Sequence, residues 1–593
     1  MQAIILAAGF GNRMKPLTQT IHKTLLEVGG KTIIGRIIDS LVEHSIHSIT
    51  LVTGYRADEL TAYVTQKYPG ISFHIVENVR YRETNNIFSL ALAFDQMQIT
   101  EDVLLIESDL IYEPSVISKI INSNYDNVAL LDHYRSGMDG TVVTVANGII
   151  TNVIPPHLQG KDFNFSDKYK TLNIYKFSNS FCNSTFKKLL TYYANVINDN
   201  CYYELILGVL IYMQQSTVHA EIIDGQKWAE VDDPNDLRVA EFIFNNAKKS
   251  ELLENTFGGY WAHDILDFCF IRNMYFPNTA MLSEIKNNIV NLLHNYGSKQ
   301  EILNLKLSYF LLCNIDHIQL LNGASQIYPI LQEIMNGKKV LMPNPTFGEY
   351  ERIFTKKNYY EDKIGISIEQ IIRHAENNDV IVFVNPNNPT GSFLPADEIF
   401  RFAEANQNKI IIVDESFIEF TGESSIIPKV EKKPLNNIIV VKSLSKTLGI
   451  PGARLGYVFS TNESFIRNIG LKIPIWNTNS IAEFVLEIIL KHRKSLVDSF
   501  RQTMVDRSNF QKQLSAIPAV EKVYPSGGNY LLVEINKDHK RNFVDELLKR
   551  NSIYVKDVTQ KFNNGKQYLR LAVRTPLDND FLVQSLNLLE KQK

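Results

Sequence analysis

The chain has 593 residues, 45% of them hydrophobic and 21% charged, with a formal net charge of −3. That length exceeds one core and points to two to four domains of ~100–250 residues. Lysine and arginine are spread along it, which excludes an electrostatic footprint for nucleic acid or an anionic membrane. No apolar run approaches the ~20 residues of a membrane span. Four scattered cysteines without a C-x-x-C pair, and an N-terminus without a basic n-region, lead us to expect a cytoplasmic enzyme with reduced thiols.

Met1 to Ala8 is a nearly continuous apolar run that reads as a buried parallel strand. It breaks into Gly9-Phe10-Gly11-Asn12-Arg13, a turn whose glycines let backbone N–H groups approach an anion. Arg13 and Lys23 supply fixed cations, the residue types that phosphate oxygens require. LAAGFGNRM, followed by HKTLLEVGGK, resembles the signature of the nucleotidyltransferases that make nucleoside-diphosphate sugars and CDP-alcohols. His22 stands where that family usually has proline. The resemblance implies that Leu6, Ala8, Gly9 and Gly11 hold the nucleotide, CTP, and that Arg13 and Lys23 serve catalysis.

Helical spacing over Thr32–His44, a strand over Ser48–Tyr55, a helix over Ala57–Lys67 and a strand over Ile71–Val76 alternate as β-α-β-α. That order predicts a doubly wound α/β sheet with its site at the strands' carboxyl ends. Val103–Asp109 is a further buried strand ending in carboxylates, and Lys227–Asp236 (KWAEVDDPND) supplies Asp232 and Asp233. By the family resemblance Asp109 and Asp232 jointly hold Mg²⁺. Tyr81–Leu90 looks like the NNIYSL segment of phosphocholine cytidylyltransferases, which places Thr84 and Glu107 near the nucleotide and Asn86 and Ser89 near substrate. An acceptor with a phosphoryl or phosphonyl group and an amine needs both a cation and an anion; the candidates are Asp139, Lys168 and Glu204. No dense aromatic cluster is visible in the sequence, which favours a primary amine over choline.

The stretch from Ala240 to Gly259 reads as a helical connector. We therefore expect a nucleotidyltransferase domain over 1–245, a connector over 246–260 and a second domain over 261–593. In the latter, Lys338–Met342, Val380–Val384, Lys409–Val413 and Asn437–Val441 read as apolar strands between helix-length segments. NPNNPTG at Asn385–Gly391, VDESF around Asp414 and SLSKTLGIPGARLGY from Ser443 resemble pyridoxal-phosphate aminotransferases of the aspartate aminotransferase fold. The nearest branch is that of histidinol-phosphate aminotransferase and threonine-phosphate decarboxylase.

The fold class implied is α/β throughout: a Rossmann-like nucleotidyltransferase fused to a fold-type I aminotransferase with a large α/β and a small α+β domain. The chemistry explains the residue types. Lys446 carries the Schiff base of pyridoxal 5′-phosphate and moves protons, and Asp414 keeps the pyridine nitrogen protonated. By resemblance, Asn388 holds the ring hydroxyl, Phe347 stacks on the ring, and Ala324, Ser325, Ser443, Ser445 and Arg454 clamp the phosphate. Arg570 takes the amino acid's carboxylate. Phe417 replaces the relatives' usual tyrosine, and Tyr296 matches a tyrosine that reaches the neighbouring subunit's cofactor, implying a homodimer. The whole looks like the bifunctional 2-aminoethylphosphonate cytidylyltransferase–aminotransferases of phosphonate biosynthesis. The alternative is a phosphoethanolamine or phosphocholine cytidylyltransferase fused to a phosphoserine decarboxylase or aminotransferase. Either way the partners are small molecules, with no nucleic acid and no membrane.

Overall fold

The computed structural model describes residues 1–135, 137–160, 163–362, 366–536 and 542–591. The chain divides into two compact units, Met1–Asp264 and Ile265–Lys593.

At the centre of the first unit lies Gln2–Leu6, whose Ala3, Ile4 and Ile5 are fully buried on both faces, as a central parallel strand requires. It pairs in parallel with Ser48–Thr53 on one side and Val103–Glu107 on the other. The nine-stranded sheet runs in the order Ser72–Glu77, Ser48–Thr53, Gln2–Leu6, Val103–Glu107, Tyr169–Phe177, Val128–His133, His219–Ile222, Ile149–Ile154 and Val142–Ala146. Its first half is the doubly wound arrangement expected from the sequence. Beyond Val103–Glu107 the sheet becomes mixed, because Tyr169–Phe177 runs antiparallel to both of its long neighbours. The hairpin between Val142–Ala146 and Ile149–Ile154 turns on Asn147-Gly148, both at positive φ, a pair suited to a two-residue turn.

The helix Ile33–Glu43 is started by Thr32, whose hydroxyl accepts the N–H of Gly35 at 3.1 Å. Ile34, Ile37, Ile38 and Leu41 share a core cluster with Ala3, Ile5 and Leu51 of the sheet. Each such side chain contributes about 1.5–3 kcal/mol, and truncating Ile37 to alanine would cost about 2–5 kcal/mol. Near the end of the unit, helix Pro234–Phe244 opens on a capping box between Asp233 and Asp236. Helix Lys249–Thr256, within the expected connector, follows in the same unit.

The second unit holds a seven-stranded sheet in the order Ile318–Asn322, Leu455–Phe459, Ile438–Ser443, Ile410–Asp414, Val380–Val384, Val340–Asn344 and Lys357–Glu361. Leu455–Phe459 alone runs against its neighbours; the other pairings are parallel. A smaller antiparallel sheet orders Val520–Tyr524, Tyr530–Ile535, Gln567–Ala572 and Lys556–Asp557, with the 23-residue helix Arg493–Ser515 beside it. These are the large and small domains that the motifs implied. No described helix is long and apolar enough to cross a membrane.

Candidate active sites

In the first unit the predicted residues converge at the carboxyl end of Gln2–Leu6, in an open cleft with about 740 Å³ of empty space. Leu6, Ala8, Gly9 and Gly11 supply its loop side, and Thr84, Asn86 and Ser89 come from the segment that starts helix Asn86–Gln96. Glu107 and Asp109 come from the end of Val103–Glu107. Gly11 has φ 59°, and a Cβ there would lie 3.1 Å from Thr18. Lys23 Nζ donates to Asp109 Oδ2 at 3.1 Å and to Asp232 Oδ1 at 3.0 Å, while Arg13 Nη2 lies 2.8 Å from Asp232 Oδ2. Burial opposes the charge on Lys23, but the two carboxylates outweigh it and hold the ammonium above its ordinary pKa.

His22 occupies a backbone, φ −65° and ψ 139°, that proline would also adopt. Its ring does what the missing pyrrolidine cannot: Nδ1 accepts from Thr24 N at 3.2 Å, which leaves Nε2–H to donate to Ala7 O at 3.2 Å. Burial pushes its pKa down to about 4, so the ring is neutral.

The acceptor candidates separate. Asp139 lies 3.6 Å from Arg13, and its ligand atoms and those of Glu230 and Asp232 fall within 4.8 Å of one another. Glu204 is buried and its Oε2 has no partner among the described residues; burial raises its pKa. Glu107 is raised further, by burial and then by Asp109 and Glu204, while Asn86 Nδ2 donates to it at 2.9 Å. Lys168 pairs with its neighbour Asp167 at 2.5 Å and does not line the cleft. The lysine that reaches the carboxylates is Lys170, 3.2 Å from Glu230. Burial, opposed by Lys170 and reinforced by Asp109 and Asp232, pushes Glu230 up to about 7. The sequence reading missed this pair, although Glu230 belongs to the same W-x-E-x-D run and Lys170 is a buried cation in a strand buried almost throughout. An aromatic cluster does exist: Phe10 packs edge-on to Tyr55 at 4.6 Å, with Tyr81 about 6 Å from both. Three separate stretches build it, so spacing along the sequence does not reveal it.

In the second unit, Lys446 lies in the short helix Leu444–Thr447 that follows Ile438–Ser443. Asp414 ends its strand fully enclosed: Oδ1 accepts from Ser416 Oγ at 2.6 Å and Ser416 N at 3.0 Å, and Oδ2 from Tyr350 at 2.9 Å. Arg570 donates to Asn388 Oδ1 at 2.9 Å and to Cys269 O, while its Nε is buried with no partner among the described residues. Arg454, itself at φ 60°, donates to Ser325 Oγ at 2.9 Å at the start of the segment leading into Ile327–Ile334. Gly323 has φ 74°, and a Cβ there would fall 2.4 Å from the Arg454 guanidinium. Ser443 N donates to Ser416 Oγ, and Ser445 Oγ to Leu455 O. Phe347 sits 6.1 Å from Tyr328 at the N-terminus of helix Gly348–Ile353. The N-P-N-N-P-T-G loop is anchored by buried Asp362, which accepts from Asn387, Thr390 and Ser392. Tyr296 is 79% exposed and stacks on Trp476 at 4.5 Å.

The sequence matches the aminotransferase class I and II family over residues 273–586, more than half of the chain. The chain belongs to the class I and II aminotransferases. Residues 3–148 match the MobA-like NTP transferase domain, so a nucleotidyltransferase unit precedes the aminotransferase unit. A CMP-5′-(3-aminopropyl)phosphonate synthase of Streptomyces rubellomurinus is 27% identical over 99% of this chain and 94% of its own length. An L-serine phosphate decarboxylase of Campylobacter jejuni is 29% identical over 54% of this chain and 87% of its own. Among solved structures, a decarboxylase from Sulfurospirillum multivorans superposes with a TM-score of 0.51 at 27% identity, covering 58% of this chain and 92% of that one.

An aminotransferase of this family implies pyridoxal phosphate, and the residues of this unit fit it. The Gly323 turn leaves room for Arg454 and Ser325 to face an anion, the buried Arg570 Nε has no partner among the described residues, and Asp414 is a buried acceptor. Burial, then Arg570 and Arg454, lower Lys446 to about 8, which favours the neutral amine that a carbonyl requires. Position 417 offers no hydroxyl: Phe417 is buried edge-on to Tyr530 at 5.1 Å, and the Tyr530 hydroxyl already donates to Asn387 O. In the nucleotidyltransferase unit, Asp109 Oδ1 is buried without a partner among the described residues, and that donor set fits Mg²⁺.

Proposed function

We propose that the first unit transfers a cytidylyl group from CTP to a short aminoalkylphosphonate, 2-aminoethylphosphonate first among them, and that the second unit makes that amine from the corresponding phosphono-aldehyde. The observation that carries the reading is the joining of a cation–carboxylate cradle (Arg13, Lys23, Asp109, Asp232) and an aminotransferase lysine in one chain, in a layout similar end to end to the Streptomyces synthase. An acceptor phosphonyl oxygen attacks the α-phosphorus in line and pyrophosphate leaves. Lys23 and Arg13 turn from the carboxylates to neutralise the negative charge that develops on the phosphate oxygens. Asp109 and Asp232 would hold Mg²⁺. Asp139, beside Arg13 and Asp232, supplies the anion for the amine, while Glu204 is buried against a separate small cavity.

In the second unit, bound pyridoxal phosphate supplies an electron sink for the substrate's amino carbon. Lys446 removes and returns the proton at that carbon, and its low pKa suits both directions. Arg570 grips the donor amino acid's carboxylate and, through Asn388 Oδ1, orients that amide toward the ring. Ser325, Ser443, Ser445 and Arg454 take the cofactor phosphate. Exposed Tyr296 and Trp476 suit burial against a second subunit in a homodimer.

The test is pyrophosphate release from CTP with 2-aminoethylphosphonate, 3-aminopropylphosphonate, phosphoethanolamine and phosphocholine, alongside amino transfer to phosphonoacetaldehyde. Turnover of phosphocholine with none of the phosphonates would refute it. The likeness to L-serine phosphate decarboxylase favours a second reading, in which the aminotransferase unit decarboxylates phosphoserine. Carbon dioxide release from phosphoserine decides between the two.

A further inference from the structure

The cleft of the nucleotidyltransferase unit has two chemically different regions. One holds Lys23 and Asp109; the other is lined by the neutral side chains of Asn78, Thr84 and Ser89 beside the ring of Tyr81. Fixed charges suit a triphosphate, whereas neutral donors and acceptors beside a ring suit the edge and face of a nucleobase.

Asn78 directly follows strand Ser72–Glu77, is 1% exposed, and is tied by its backbone N–H to Thr53 O at 2.8 Å. Its Oδ1 accepts the backbone N–H of Arg80 at 2.9 Å, which fixes the amide's orientation. Nδ2 therefore donates both to Thr84 Oγ1 and to Ser89 Oγ, each at 3.0 Å. Thr84 gives its own proton to Arg80 O at 3.0 Å. Ser89 differs: its oxygen has accepted from Asn78, and its proton meets no acceptor among the described residues.

We propose that Asn78 is the positioning residue for base choice: by donating to Ser89 Oγ it leaves the Ser89 proton to point into the cleft, matched to the unprotonated N3 of cytosine, whereas turning a lone pair to the N3–H of uracil would strand that proton without an acceptor. This rests on the nucleotidyl-transfer reading above. Aspartate at 78 reverses the polarity. It keeps the Arg80 bond, but its second oxygen accepts from Ser89, whose lone pair then faces the cleft and accepts N3–H of uracil.

The experiment measures kcat/KM for CTP and UTP by pyrophosphate release from the full-length protein with 2-aminoethylphosphonate and 3-aminopropylphosphonate. Calorimetric Kd values for each nucleotide without acceptor accompany it. Wild type should prefer CTP by about 100-fold or more, as sites built on a hydrogen bond reject the mismatched group strongly. Asn78→Asp should shrink that preference at least about 30-fold, with a gain for UTP in both KM and Kd, since a buried mismatched polar pair costs that order of affinity. Ser89→Ala should bring the ratio toward one by a loss with CTP alone. A fall in overall rate with an unchanged ratio in both variants overturns the proposal, as does a wild type indifferent to the two nucleotides. If thermal unfolding shows Asn78→Asp misfolded, Ser89→Ala decides: an intact ratio overturns it. Failure of the wild type to bind any nucleoside triphosphate would instead bring down the nucleotidyl-transfer reading, and this inference with it.

Discussion

The low basicity of Lys446 gives the sharpest prediction. A lysine with its ordinary pKa of 10.5 is under about 0.1% neutral at pH 7.4, whereas one at about 8 is roughly one-fifth neutral, a gain of about 250-fold in reactive amine. Burial is the largest cause, followed by the like charges of Arg570 and Arg454. The protein would be stripped of cofactor, pyridoxal phosphate re-added between pH 6 and 10, and covalent attachment followed by stopped-flow absorbance. The rate should climb with pH and level off near pH 8. In Arg570→Met the plateau should move to higher pH, because one of the repelling charges is gone. A rate that still climbs tenfold per pH unit up to pH 10 would show that the pocket does nothing to this amine, and the reasoning from burial and neighbouring charge would fall.

Lys23→Met should abolish pyrophosphate release by about 10³-fold or more, because a fixed donor at the developing charge is lost; calorimetric titration with Mn²⁺ should meanwhile show tighter metal binding without nucleotide, since the ammonium no longer competes for Asp109 and Asp232. His22 predicts acid sensitivity. The unfolded chain takes up a proton near pH 6.5 that the folded ring refuses until about 4, so stability rises with pH across that window and acidification removes up to about 3 kcal/mol. Differential scanning calorimetry between pH 4 and 7 should show the effect, and His22→Gln should flatten it. Tyr296→Ala should shift sedimentation toward the monomer and lower amino transfer without changing pyrophosphate release.

Much of the fold was legible because the informative segments are central strands. Val380–Val384 was readable to the residue since a strand buried on both faces leaves an unbroken apolar run. The mixed half of the first sheet was not: its strands carry half-exposed Thr144 and exposed Thr151, and the Asn147-Gly148 turn was the signal to weigh. Among the candidate site residues, those on glycine-rich or proline-rich loops were the ones legible as candidates, because their backbone demands constrain the sequence as well as their chemistry. Lys170, Glu230 and Asn78 did not. Each acts by reaching across to a residue tens of positions away or held in a neighbouring turn, and nothing in its own neighbourhood records that reach. Lys168 shows the converse: a cation in the right segment, two residues off, is claimed by the carboxylate next to it.

The crowding of Arg454 against Gly323 bears on how this protein can change over time. The guanidinium fills the volume that any side chain at 323 would need, and the backbone at 454 adopts a shape that few residues other than glycine and asparagine tolerate. Position 323 cannot gain a side chain by itself. A library of substitutions should therefore find position 323 unchanged in single-mutant survivors, and a side chain there should be recovered only alongside a smaller residue at 454. The bulk of one position thus dictates the bareness of the other.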